Sequence, residues 1–190
     1  MNDFDALLDK LTQREVSGGI HTPPELRLLL CCLARLMRAE NVLETGYDAG
    51  FTTLALGMSG AKVTAVDNLS QYGFVDPLAY IINAGNNNVE LRTAEALEFL
   101  KSLEDESVDM AFIDDWHFHE HVGKEAQELI RVLRPGGVAV FHDVRAEELE
   151  LWDTIIKVVP DWQRINLPAS SPVAHRDFGF ALLRKPNGRF

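Results

Sequence analysis

The sequence predicts a doubly wound α/β fold, a largely parallel sheet flanked by helices, and three observations carry that prediction. Five short apolar segments, at residues 41–45, 62–66, 89–92, 108–113 and 138–141, alternate with segments of helical period. Each of the five runs into a glycine or a polar group, as strands do where such sheets bind ligands. Two further apolar segments, 162–167 and 178–185, have no helical pattern between them, so they must pair antiparallel as a terminal hairpin. Seven strands result.

The elements follow in order. Residues 3–11 form a short amphipathic pattern that ends near Ser17-Gly18-Gly19. His21-Thr22-Pro23-Pro24-Glu25 then announces a second helix, with Thr22 as its cap, Pro23 in the first turn and Glu25 completing a capping box. Leu26, Leu29, Leu30, Leu33 and Met37 recur at helical spacing and define a buried stripe. Beyond the strand at 41–45, helices are expected at 52–58, 77–83, 94–103, 120–133 and 146–158. Pro135-Gly136-Gly137 stops the fourth of these, and Glu147 and Glu148 suit the dipole of the fifth. No repeat or linker interrupts the chain, so residues 1–190 are expected to form one domain, with 1–38 as an N-terminal helical segment and 39–190 as the core.

Composition narrows the function. With 18 Lys+Arg against 29 Asp+Glu the formal charge is −11. Such a surface repels nucleic acid and anionic membrane and suits small neutral or cationic ligands. The longest apolar run, residues 28–34, is far shorter than the roughly 18 residues that span a bilayer. The opening Met1-Asn2-Asp3-Phe4-Asp5 is acidic and unlike a secretory leader, which makes a cytoplasmic location the expectation. Cys31 and Cys32 are neighbours that cannot pair without strain, and both read as core filler in a reducing compartment.

The strand ends hold the informative residues: Gly46 to Thr53, Asp67-Asn68, Thr93 to Glu95, Asp114 to His121, and His142-Asp143. A dinucleotide fold places a second glycine where this chain has Asp48, and a carboxylate there repels a diphosphate. Glu44 adds acid nearby. The turn therefore suits a cationic cofactor without phosphate, and S-adenosylmethionine (SAM) is such a molecule. Asp67, 21 residues after Gly46, stands where an acid accepts ribose hydroxyls. Glu95 and its neighbours Thr93 and Ala94 are placed to meet the adenine edge.

Taken together, these residues resemble the class I SAM-dependent methyltransferases, over about Thr22 to Lys185. The first turn, Glu44-x-Gly46-x-x-x-Gly50-x-Thr52, is similar to that of the small-molecule O-methyltransferases. Phe112-Ile113-Asp114-Asp115-Trp116-His117 resembles the I-D-x-x-H segment of the metal-dependent enzymes, and also the D-x-W-K segment of catechol O-methyltransferase, with His117 in place of lysine. Leu133-Arg134-Pro135-Gly136-Gly137 and Phe141-His142-Asp143 match the family's L-x-P-G-G and its strand-five ending.

The resemblance implies a Rossmann-like methyltransferase fold and methyl transfer from SAM to a hydroxyl of a small molecule. The implied cofactor residues are Glu44, Gly46, Tyr47, Gly50, Thr52, Asp67, Asn68, Ala94, Glu95 and Asp114. Asp114 and His117 are the implied catalytic pair, His117 as base. Asp114, His142 and Asp143 are the implied ligands of a divalent cation, Mg²⁺ first and Mn²⁺ second. His142 departs from the family, and an imidazole there favours Mn²⁺, Fe²⁺ or Zn²⁺ over Mg²⁺. Trp116 and Phe118 either wall an aromatic acceptor or cover the sheet end. His119 and His121 read as a solvated approach to the next helix, with a metal cluster as the alternative. A homodimer is an implied oligomeric option, with the leucine-rich helix from Thr22 as a contact face. A non-catalytic SAM- or nucleoside-binding protein, a methyltransferase for another acceptor class and a dehydrogenase stand as alternatives. Asp48 weakens the last of these.

Overall fold

A computed structural model describes residues 22–69, 85, 87–144, 151–167 and 179–187. The expected helices at 3–11 and 77–83, the segment 70–77 and the loop 168–177 lie outside the described residues. In chain order the elements are α1 (Pro24–Met37), β1 (Asn41–Thr45), α2 (Phe51–Gly57), β2 (Lys62–Asp67), β3 (Val89–Thr93), α3 (Ala96–Ser102), β4 (Val108–Ile113), α4 (His119–Val132), β5 (Leu133–His142), α5 (Leu151–Val158), β6 (Gln163–Leu167) and β7 (Phe180–Arg184).

The seven strands form one sheet in the order β3-β2-β1-β4-β5-β7-β6. The first five run parallel, and β7 pairs antiparallel with both β5 and β6. The expected hairpin is present, with its second strand inserted beside β5. The order reverses between β1 and β4, and that switch point is where a crevice opens at the strand ends.

Strand alternation divides the core in two. On one face Val42, Val63, Met110, Phe112 and Val140 pack beneath Leu26, Leu30 and Ala34 of α1 and Leu56 of α2. On the other, Leu43, Val66, Ala111, Ile113 and Phe141 meet Leu100 of α3, Val122, Ala126 and Leu129 of α4, and Leu151 and Ile155 of α5. Each fully buried leucine here contributes roughly 1.5–3 kcal/mol relative to exposure. The α1 stripe is therefore spent on the sheet. Arg27 is buried with it, its guanidinium 4.8 Å from the centre of the Phe51 ring, which joins α1 to α2.

Three local expectations need correction. Thr22 does not cap α1: the N-cap is Pro23 without a side-chain hydrogen bond, and the Thr22 hydroxyl donates instead to Asp114 Oδ2 at 3.2 Å. A buried carboxylate is a stronger acceptor than the helix end offers, and Thr22 is drawn to it. Cys31 is buried as expected, whereas Cys32 is exposed, because neighbours on a helix point about 100° apart. Finally, β5 begins at Leu133 and not at Val138. Its register against β4 shifts between Val108 and Met110, so Arg134-Pro135-Gly136-Gly137 forms a bulge. The bulge is tied to the neighbouring strand by Asp109, which accepts from Arg134 Nε at 2.8 Å and from the backbone N–H groups of Glu40 and Asn41 at 2.6 and 2.8 Å.

Candidate active site

The turn after β1 fixes the site. Gly46 sits at φ +76°, and a Cβ added to it would lie 2.2 Å from the Asp114 carbonyl oxygen and 2.8 Å from Asp115 Cα. Only glycine lets the β1 turn and the β4 end touch. The contact is held by two backbone bonds, Gly46 N–H to Val66 O at 2.8 Å and Asp114 N–H to Thr45 O at 3.0 Å. Gly50, at φ +81°, then starts α2, with Thr52 buried in its first turn. Tyr47 is folded into the protein, its hydroxyl beside Thr93.

Asp67 organises the same turn from β2. Its carboxylate accepts from Asp48 N–H at 3.0 Å and from Leu69 N–H at 2.7 Å. Next to it, Asn68 donates to Glu95 Oε1 at 3.2 Å, and Ala94 N–H reaches the Asp67 carbonyl at 3.1 Å. The expected nucleoside contacts thus lie together on neighbouring strand ends.

Beneath the turn, Glu44 has no exposed surface, and neither carboxylate oxygen has a hydrogen-bond partner. Burial pushes its pKa up to about 8; the Thr53 hydroxyl opposes this, and the nearby Asp114 and Asp67 charges add to it. Glu44 is therefore neutral at pH 7, and the acid that faces a ligand at this turn is Asp48 or Asp67. Its protonated form is favoured by folding, so the chain loses stability as pH rises from the ordinary carboxyl value through about 8. Thermal melts of Glu44→Gln are expected to match wild type near pH 5 and to exceed it by roughly 3 kcal/mol or more near pH 8. Equal stability of the two proteins across this range would contradict the assignment.

Asp114, His117, His142 and Asp143 converge at the ends of β4 and β5, with one ligand atom of each inside a 4.8 Å group. His142 Nδ1 lies 2.8 Å from Asp114 Oδ1 and 3.3 Å from Asp143 Oδ1. His117 Nε2 stands 3.5 Å from one oxygen of each aspartate. Burial alone would raise the Asp114 carboxyl, but the charge and hydrogen bond of His142, with His117 close by, outweigh it and hold it well below the usual carboxylate range. Burial alone would lower His142, yet Asp114 and then Asp143 carry it to about 9. The same contest raises His117. Asp143 goes the other way, raised by burial against the pull of both histidines. Trp116 and Phe118 stack at the rim, ring centres 5.7 Å apart, and are 37% and 58% exposed. Among the described residues they present an aromatic face at the rim of the site.

His119 and His121 separate. The His119 ring is exposed and meets Thr154 Oγ1 at 2.6 Å, as a solvated helix start would. The partly buried His121 faces Asp115 and Glu125. Glu125 is absent from the sequence reading, and Thr22 and Asp115 are named in it without a role at the site. The Glu125–His121 spacing of four on one helix was the available signal.

A family profile described as a methyltransferase domain matches residues 43–144. A protein of Mycobacterium sp. (strain JLS), classed by name with the O-methyltransferases, is 33% identical over 144 residues, 73% of this chain and 64% of its own length. Tricin synthase 2 of Oryza sativa subsp. japonica is 32% identical over 151 residues, 75% of this chain and 51% of its own. The chain spans about three-fifths of the length of the curated relatives it matches. Among solved structures, an O-methyltransferase from Bacillus cereus in complex with SAH superposes with a TM-score of 0.74 at 21% identity, covering 95% of this chain and 91% of that one. With sheet order, Gly46 turn and family match in agreement, the chain belongs to the methyltransferase domain family and has the class I methyltransferase fold.

Proposed function

We propose that the protein transfers a methyl group from SAM to a hydroxyl of a small molecule, at the crevice between the Gly46 turn and the Asp114–Asp143 cluster. The observation that carries this proposal is the convergence of Asp114, His117, His142 and Asp143 beside a turn whose acidic groups disfavour a diphosphate. The names of the O-methyltransferase relatives support it.

A divalent cation belongs to the proposal, and the residues fit one. Asp143 Oδ1 is buried without a hydrogen-bond partner beside His142 Nδ1 and Asp114, and a buried carboxylate oxygen in that condition suits a metal. Asp114, His142 and Asp143 would hold it, and an imidazole beside two carboxylates suits Mn²⁺, Fe²⁺ or Zn²⁺ better than Mg²⁺. When bound, such an ion supplies a lowered pKa for the acceptor hydroxyl.

The chain's own residues do the rest. Gly46, Gly50 and Thr52 shape the turn that receives the methionine end, with Tyr47 packed into it and Glu44 supporting it from below. Asp67, Asn68, Ala94 and Glu95 hold the nucleoside, Asp67 ordering the turn as well. Asp114 orients His142 and His117 and contacts the cofactor's reactive end. His117, on the loop between β4 and α4, receives the acceptor proton, and Asp114 and Asp143 stabilise the imidazolium that results. Trp116 and Phe118 offer a stacking wall for a planar acceptor.

The test is methyl transfer from labelled SAM to a panel of catechols and other hydroxylated metabolites, with Mn²⁺, with Mg²⁺ and with chelator. Transfer is expected with Mn²⁺ and is lost on chelation; His117→Ala lowers it by about 10²–10⁴ with SAM affinity kept. SAM binding without transfer to any acceptor would favour a binding protein instead.

A further inference from the structure

A second cluster lies behind the first. Asp115 follows Asp114 directly, while His121 and Glu125 occupy one face of α4, and their ligand atoms fall within 4.8 Å of one another. His121 Nε2 is 3.0 Å from Asp115 Oδ2 and 3.8 Å from Glu125 Oε2. Glu125 is 0% exposed. One of its oxygens accepts from the Thr45 hydroxyl at 3.2 Å, and the other, Oε2, points at the cluster with no hydrogen-bond partner. Asp115 Oδ1 is likewise buried and without a partner.

Two carboxylates that face each other inside a protein repel strongly, and each unsatisfied oxygen adds a desolvation cost. One imidazole, 21% exposed, does not balance two acids. Two carboxylates and an imidazole within a few ångströms are a donor set for a first-row divalent cation.

We propose that Asp115, His121 and Glu125 bind a divalent cation of the Mn²⁺ or Zn²⁺ class, a structural site separate from the Asp114–Asp143 cluster. Bound there, the cation links the end of β4 to the first turns of α4. Through the hydrogen bond of Glu125 to Thr45, it also braces β1 just before the Gly46 turn. The partly exposed His121 is its route to solvent.

The experiment counts metal in the full chain after stripping with chelator and dialysis against Zn²⁺ or Mn²⁺. Asp143→Ala disables the first cluster and leaves the second to be read alone. Asp143→Ala is expected to bind one equivalent and to melt higher with the metal than without it. Asp143→Ala/His121→Ala is expected to bind none and to show no shift. His121→Ala is the informative change because its side chain is partly exposed and its removal leaves no cavity in the core. Glu125→Gln in the same background checks it, with circular dichroism confirming the fold. Equal metal content and equal shifts in Asp143→Ala and Asp143→Ala/His121→Ala would overturn the proposal and leave a proton shared between Asp115 and Glu125 in the cation's place.

Discussion

Replacing Asp114 by Asn is expected to lower methyl transfer by at least about 10³-fold while the chain stays folded. Three side chains meet at this carboxylate: the Thr22 hydroxyl, His142 Nδ1 and His117 Nε2. An amide keeps the shape but removes the charge that raises the pKa of both imidazoles. In metal-free protein the His142 pKa, about 9 in wild type, should fall by at least about 2 units, because burial then opposes protonation with Asp143 alone to counter it. The sign of the linked stability follows. A His with a raised folded pKa contributes stability in full below its unfolded value, and that stability is lost as pH rises through about 9. Asp114, held low, contributes stability above the ordinary carboxylate value that is lost as pH falls through its folded pKa. Asp114→Asn should therefore flatten both the alkaline and the acid limbs of the stability profile. Histidine titration by NMR reads the first effect, and thermal melts across pH read the second. An unchanged His142 pKa would mean that the pair is not coupled as its 2.8 Å contact requires.

Gly46→Ala carries the largest expected cost in stability. Its Cβ would stand 2.2 Å from one backbone oxygen and 2.6 Å from the adjoining carbon, and backbone cannot rotate aside as a side chain can. The φ of +76° adds strain for any residue with a Cβ. Together these should destabilise the protein by about 3–5 kcal/mol, a fall in Tm of roughly 10 °C for a chain of this size. Relief requires β1 and β4 to separate, which displaces Asp114 and Asp115 together. Cofactor affinity should fall with stability. Gly50→Ala, strained in φ but outside this contact, should cost less.

Much of this was legible in the sequence, for physical reasons that differ by element. The inner parallel strands announced themselves because a strand buried on both faces is mainly apolar, as 108–113 is apart from Asp109. The hairpin followed from the lack of a helical pattern in the sequence between 167 and 178. Asp114, His142 and Asp143 could be placed at one site because strand ends in such a sheet face one crevice. What escaped depended on long-range partners. Thr22 looked like a helix cap, and local pattern could not reveal a carboxylate 92 residues away. Glu44 looked like a charge near the cofactor, and only its complete burial makes it neutral. Glu125 has no place in the sequence reading of the 120–133 helix, although it lies on the face turned toward β1 and Asp115. The bulge at 134–137 escaped because Pro-Gly-Gly signals a stop in one element and says nothing of where the next begins pairing.

The central claim is that the strand-end crevice takes SAM, and calorimetric titration of the metal-stripped protein with SAM tests it most directly, repeated with Mn²⁺ present and with NAD as control. Micromolar SAM binding, weakened by Asp67→Ala, with no heat from NAD, is the result predicted. Tight binding of NAD, or no binding of SAM with or without the cation, would contradict it, and Asp48, Asp67 and the Asp114 cluster would then serve another ligand.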